Sequence, residues 1–226
     1  MNFVREALAK VSLRPDQQPI VDQLSKDAMT RHEAIKTARV ALRNAIADQV
    51  QAGKIDRAAL KPQMDALLAA IDQSRPADRA AMVRLHDVLD KNQRGQFVDA
   101  LQAQFHDRMH GGRPGMAHMR QWASDLNLTD QQRDQIRTAV KSRFEGQREQ
   151  MKEQWKASRE QGHQMLESFR QDQFTLDASS PELFGRDKIA GGVGKMIDFA
   201  EAAVPTLTPE QRAIAAQKIR TQEGRF

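Results

Sequence analysis

One kind of five-residue segment recurs at four places in this 226-residue chain. LTDQQ begins at Leu128 and LTPEQ at Leu207, with weaker copies LDKNQ at Leu89 and LRPDQ at Leu13. In the first pair, Thr129 and Thr208 stand three residues before Gln132 and Gln211. That spacing makes a capping box: the hydroxyl accepts from a first-turn N–H, and the glutamine reaches back to the cap. Pro209 fits the first helical position, where a missing N–H costs nothing. Asp130 and Glu210 favour the positive end of a helix. In the weaker copies Asp90 replaces Thr and retains an acceptor oxygen. Arg14 cannot cap, although Pro15, Asp16 and Gln17 keep their places. Leu13 and Leu89 lie 76 residues apart, and Leu128 and Leu207 lie 79 apart. The similar spacing predicts a duplicated helical unit of about 100 residues, a length typical of a small domain.

Composition agrees with helices throughout. The chain is rich in Ala, Arg, Leu, Lys and Gln, the last present 25 times. These are strong helix formers. Only 39% of residues are hydrophobic and 5% aromatic, too few for the Val-, Ile- and aromatic-rich strands of a sandwich or α/β enzyme. No run approaches the ~18 apolar residues of a membrane span. With no cysteine, disulfides, thiolate metal sites and a cysteine nucleophile are excluded.

Apolar periodicity predicts a helix over 16–52, carrying Ile20, Leu24, Ala28, Ile35, Leu42, Ile46 and Val50 and stopped by Gly53. Asp56 reads as the cap of a second helix, through Leu60, Met64, Leu67, Leu68 and Ile71. Ser74–Pro76 reads as a break or kink. Helices bearing Ala80, Val83, Leu85 and Val88, then Phe97, Val98, Leu101 and Phe105, lead to His110. Gly111–Gly115 is the strongest breaker in the chain. It sets the expected organisation: a first unit over 1–110, a hinge over 111–118 and a second unit over 119–226. Beyond it a long helix is expected from Thr129 to about Gln173. A loop with Asp177, Ser179, Ser180 and Pro181 follows, then a helix to about Val204 and a last one from Thr208.

The paired Leu-Thr-x-x-Gln segments, together with Arg84–Leu101, resemble the LTxxQ-motif family of periplasmic helical proteins, the Spy/CpxP-like chaperones and their metal-responsive relatives. The resemblance covers nearly the whole chain taken as two units; Arg14 and Asp90 depart from the pattern. It implies an all-α fold of tandem units forming a thin curved cradle or bundle. It also implies ATP-independent chaperoning, in which a concave face binds unfolded or partly folded proteins. The expected location is the periplasm. MNFVREALAKVSL lacks the apolar run of a signal peptide, so that location requires a leader already removed. A tandem chain is expected to act as a monomer and internal pseudo-dimer. The alternatives are a metal-responsive sensor and a stress-regulatory adaptor.

From Arg133 to Arg159 there are eight Lys/Arg and four Asp/Glu. Arg143, Arg148, Lys152 and Lys156 interleave with Phe144, Met151 and Trp155. Such a face offers adaptable apolar contacts with cations beside them, and these seven residues are the candidate client-binding set. The competing reading places the three apolar side chains in a core. For a metal, His106 and His110 share one helical face and His118 follows the Gly-rich segment, a set suited to zinc, nickel or copper. The competing reading is a polar helix end. His32 and His86 read as structural and His163 as solvent-facing. Gly191–Lys195 glances at a phosphate loop, but Ile189 and Met196 occupy required positions. It reads instead as a flexible or closely packed helical segment. No enzymatic activity, cofactor or nucleic-acid partner is expected.

Overall fold

The computed structural model describes residues 2–110, 114–177, 180 and 185–221; side chains are described for these except at 2, 108–110, 114–119 and 148. The described residues form an all-α protein without strands. The helices are α1 (Asn2–Leu8), α2 (Gln18–Arg31), α3 (Glu33–Ala52), α4 (Arg57–Val88), α5 (Lys91–His110), α6 (Pro114–Asp125), α7 (Asp130–Phe144), α8 (Arg148–Arg170), α9 (Arg186–Ala203) and α10 (Pro209–Thr221).

They build two compact units, each assembled from three separate segments. The first unit comprises 1–33, 73–115 and 156–183; the second comprises 34–72, 116–155 and 184–226. This differs from the division into 1–110 and 119–226. Each sequence half gives one segment to the other half's unit: 34–72 join the second, and 156–183 join the first. Apolar burial explains the exchange. Leu42, Ile46, Val50, Leu60, Leu67 and Ile71 share a core with Leu128, Ile136, Val193 and Ile197. Leu166, Phe169 and Phe174 share the other core with Leu85, Leu89, Phe97, Val98 and Leu101.

The same exchange accounts for several differences from the sequence reading. The expected single helix over 16–52 is two, separated at His32. Here α2 buries Val21 in the first core, whereas α3 buries Leu42, Ile46 and Val50 in the second. Arg31 and His32 are tied to Asp78 of α4, His32 Nε2 at 2.7 Å. Conversely, no break occurs at Ser74–Pro76, and α4 runs on to Val88. A helix-interior proline costs about 3 kcal/mol. The burial of Leu60, Leu67 and Ile71 before it and Leu85 after it outweighs that cost, at about 1.5–3 kcal/mol for each fully buried side chain.

Helix boundaries follow the expected chemistry elsewhere. Gly53 lies at φ 82°, in the left-handed region open to glycine. Gly53 N donates to Val50 O and Lys54 N to Gln49 O, at 3.1 and 3.2 Å, closing α3 with a Schellman turn. Asp56 Oδ1 accepts from Ala58 N and Ala59 N at the start of α4. The expected hinge is partly helical: Gly111–Arg113 lie outside the described residues, while Pro114 and Gly115 begin α6. The long helix from Thr129 is divided by a 3₁₀ turn at Glu145–Gln147, centred on helix-weakening Gly146. Of the expected loop, Ala178–Ser179 and Pro181–Phe184 lie outside the described residues; Asp177 and Ser180 are joined by a turn. Gly191, Gly192 and Gly194 lie within α9, and a Cβ at any of them would meet nothing within 4 Å among the described residues. Close packing therefore does not require them.

Candidate functional site

The four motif copies meet in pairs, one pair in each unit. In the second unit Thr129 Oγ1 accepts from Gln132 N at 3.2 Å, and Gln132 Oε1 accepts from Thr129 N at 3.0 Å. Thr208 and Gln211 repeat this at 3.3 and 3.0 Å. The capping boxes are complete, but each glutamine does more. Gln132 Nε2 donates to Gln211 Oε1 at 2.8 Å, and Gln211 Nε2 returns a bond to Gln132 Oε1 at 3.2 Å. The same amides reach the backbone before the opposite helix: Gln132 to Thr206 O and Gln211 to Leu126 O. Leu128 and Leu207 are buried beneath the junction. Asn127, at φ 48°, turns the chain into the motif.

The first unit repeats the arrangement with different caps. Gln17 and Gln93 exchange side-chain bonds at 2.8 and 2.7 Å. Their amides also reach Val88 O and Ser12 O. Asp90 Oδ1 accepts from Gln93 N at 3.0 Å, doing what Thr does elsewhere. Arg14 has no capping oxygen. Its N–H donates to Gln17 Oε1, and its guanidinium reaches Asp90 at 3.1 Å. Leu89 is buried and Leu13 half-buried. The glutamine cross-link was not anticipated; a glutamine closing every copy is its only mark in the sequence. Arginine also follows that glutamine in three copies. Arg94 pairs with Asp172 at 2.6 Å, and Arg133 donates to Leu128 O. Arg212 packs on Gly53, where a Cβ would lie 1.8 Å from its Nη1.

The candidate client-binding residues divide by environment. Arg143 is engaged in the second unit: with Arg57 it holds Asp198 and Glu201. Burial opposes the charged form of Asp198, but hydrogen bonds from Arg57 and then Arg143 outweigh it and hold the carboxyl below its ordinary range. These partners lie 55–144 positions away from the arginines, and no local motif marks them. Phe144 and Met151 are half-buried, Lys152 and Lys156 exposed, and Trp155 is 50% exposed. Trp155 is thus not the core residue of the amphipathic reading. The side chain of Arg148 lies outside the described residues. From Glu145 to Gln164 no described residue is buried.

Of the expected metal ligands, only His106 has a described side chain. His106 is exposed, with Nδ1 3.9 Å from Asp107, while the side chains of His110 and His118 lie outside the described residues. Among the described residues no group of three or more His, Cys, Asp or Glu converges on one point. His86 is buried, and its Nε2 lies 2.8 Å from Gln171 O between Phe169 and Phe174. No described helix is long and apolar enough to cross a membrane. No family model, curated protein or solved structure matches this chain.

Proposed function

We propose that this protein binds unfolded or partly folded proteins without ATP and suppresses their aggregation in the bacterial periplasm, acting as a monomer. The observation carrying this reading is the solvent-facing stretch of α8. It offers Trp155 half exposed and Met151 half covered, with Lys152 and Lys156 beside them. A large aromatic half exposed beside a thioether supports contact with apolar segments of a client. The thioether adapts to irregular apolar partners, and the ammonium groups hasten encounter with acidic segments. The likeness to the LTxxQ family supports the same reading through the four motif copies. Binding would be shallow and distributed, suited to exposed apolar segments of many sequences.

The test is dilution of two unrelated unfolded proteins into buffer containing EDTA and no nucleotide. Suppression of both near stoichiometric ratio is expected. Trp155→Ser combined with Met151→Ser should remove most of it while leaving the helical signal and melting temperature nearly unchanged. Failure to protect either client sinks the proposal. One saturable partner with no general protection would instead mark a regulatory adaptor.

A further inference from the structure

Neither sequence half contains the residues of a complete core. We infer that residues 1–110 and 114–226 are specific binding partners of one another, so that the chain severed between them remains a single folded protein. Two independent sets of contacts lead there. In the second unit, α3 and the N-terminal part of α4 contribute Leu42, Ile46, Leu60 and Leu67 to a core completed by α7, α9 and α10. Ion pairs join the same elements: Arg57 to Asp198 and Glu201, Arg186 to Asp72, and Arg220 to Asp48. In the first unit the dependence runs the other way. Leu166, Phe169 and Phe174, all from the second half, enter the core of α1, α5 and the end of α4. Phe169 is 2% exposed and lies 5.2 Å from Phe97, centroid to centroid. Arg170 donates to Asp99, Gln102 and Gly95 O, and Arg94 to Asp172.

Each half therefore presents two apolar surfaces that only the other half covers. Alone, a half would expose Leu67 and its neighbours at one place and lose the cover of Phe97 at another. The connection at 111–113 supplies high effective concentration rather than any of these contacts. The halves recognise each other through this apolar burial and ion pairing.

The full chain carries the test. A protease site replacing Gly111–Arg113 is cut under native conditions. The fragments are expected to co-elute and to part only in denaturant, then to recover the helical signal when mixed. Elution as two separate folded species overturns the inference. Hydrogen exchange on the uncut chain provides a second readout. Phe169→Leu should speed exchange of α5 amides roughly tenfold with α9 little changed, because local opening follows the unit rather than the sequence half. Leu67→Val should do the reverse. Loosening confined to the half that carries each substitution overturns the inference as well.

Discussion

The two glutamine junctions perform one task with different surroundings. In the second unit both caps are threonines, and Gln132 and Gln211 are only partly buried. In the first, one cap is aspartate and the other is absent, yet Gln17 and Gln93 are 2% and 5% exposed. The capping residue has thus varied while the glutamine pair is common to both. The reason is the number of groups each amide satisfies. A threonine hydroxyl supplies one acceptor to one N–H, whereas each glutamine serves its own helix start, the facing glutamine and a carbonyl of the facing segment. Removing it strands several groups together.

The largest difference should therefore come from the glutamines. Gln17→Leu is expected to cost about 3 kcal/mol, because Val88 O and Arg14 N lose their side-chain partner and Gln93 loses its bonds to Gln17 in a buried place, keeping those to Ser12 O and Asp90 N. Gln132→Leu should cost about half as much, since water reaches a partly buried junction. Urea denaturation of the two variants measures both; equal losses would mean burial does not distinguish the junctions. Below these come the caps. Asp90→Ala and Thr129→Ala should each cost about 1 kcal/mol in the same measurement. Arg14→Ala should cost less, because its bond to Asp90 is solvent-exposed and such pairs contribute about 0–1 kcal/mol.

Acid should act on both units through carboxylates held below their ordinary range. Burial of Asp78 favours its neutral form, but the hydrogen bond and charge of His32, then hydrogen bonds from Ser74 and Arg31, outweigh it. Because the folded-state value lies below the unfolded one, this stabilisation is complete above the unfolded value of 3.8 and fades as pH falls through the lower folded value. Asp78→Asn should flatten the acid limb of unfolding at α2 and leave that at α9 unchanged, as read by hydrogen exchange. The smallest effect expected is a gain. Gly191→Ala and Gly192→Ala should each stabilise α9 by up to about 1 kcal/mol, because the added methyl meets open space.

Much of this was legible because it is local. The caps at Asp56, Thr129 and Thr208, the stop at Gly53 and the helical periodicity all depend on residues within a turn of one another. The motif spacing grouped the four copies into two pairs but did not show that the members of a pair meet. What the sequence did not disclose is long-range. Leu67 and Phe169 look like ordinary stripe residues, and nothing near either indicates burial with the opposite half. The same holds for Arg143, which reads as an open cation until Asp198 and Glu201 are placed against it. Pro76 misled for a related reason: its local penalty is visible in the sequence, whereas the burial on both sides of it is not.

The course of α4 has a consequence for the order in which the protein is made. Its first part belongs to a unit that also needs 184–226, and its last part to one that needs 156–183. A ribosome releases the chain from its N-terminus, so Leu60, Leu67 and Ile71 are synthesised more than a hundred residues before Val193 and Ile197. Arg220 reaches Asp48 across 172 positions. Helices can form as they emerge, but neither core closes until most of the chain has been translated. Such distant closures slow folding relative to bundles of neighbouring helices. The nascent protein thus carries uncovered apolar faces through most of its own synthesis and becomes a finished molecule late.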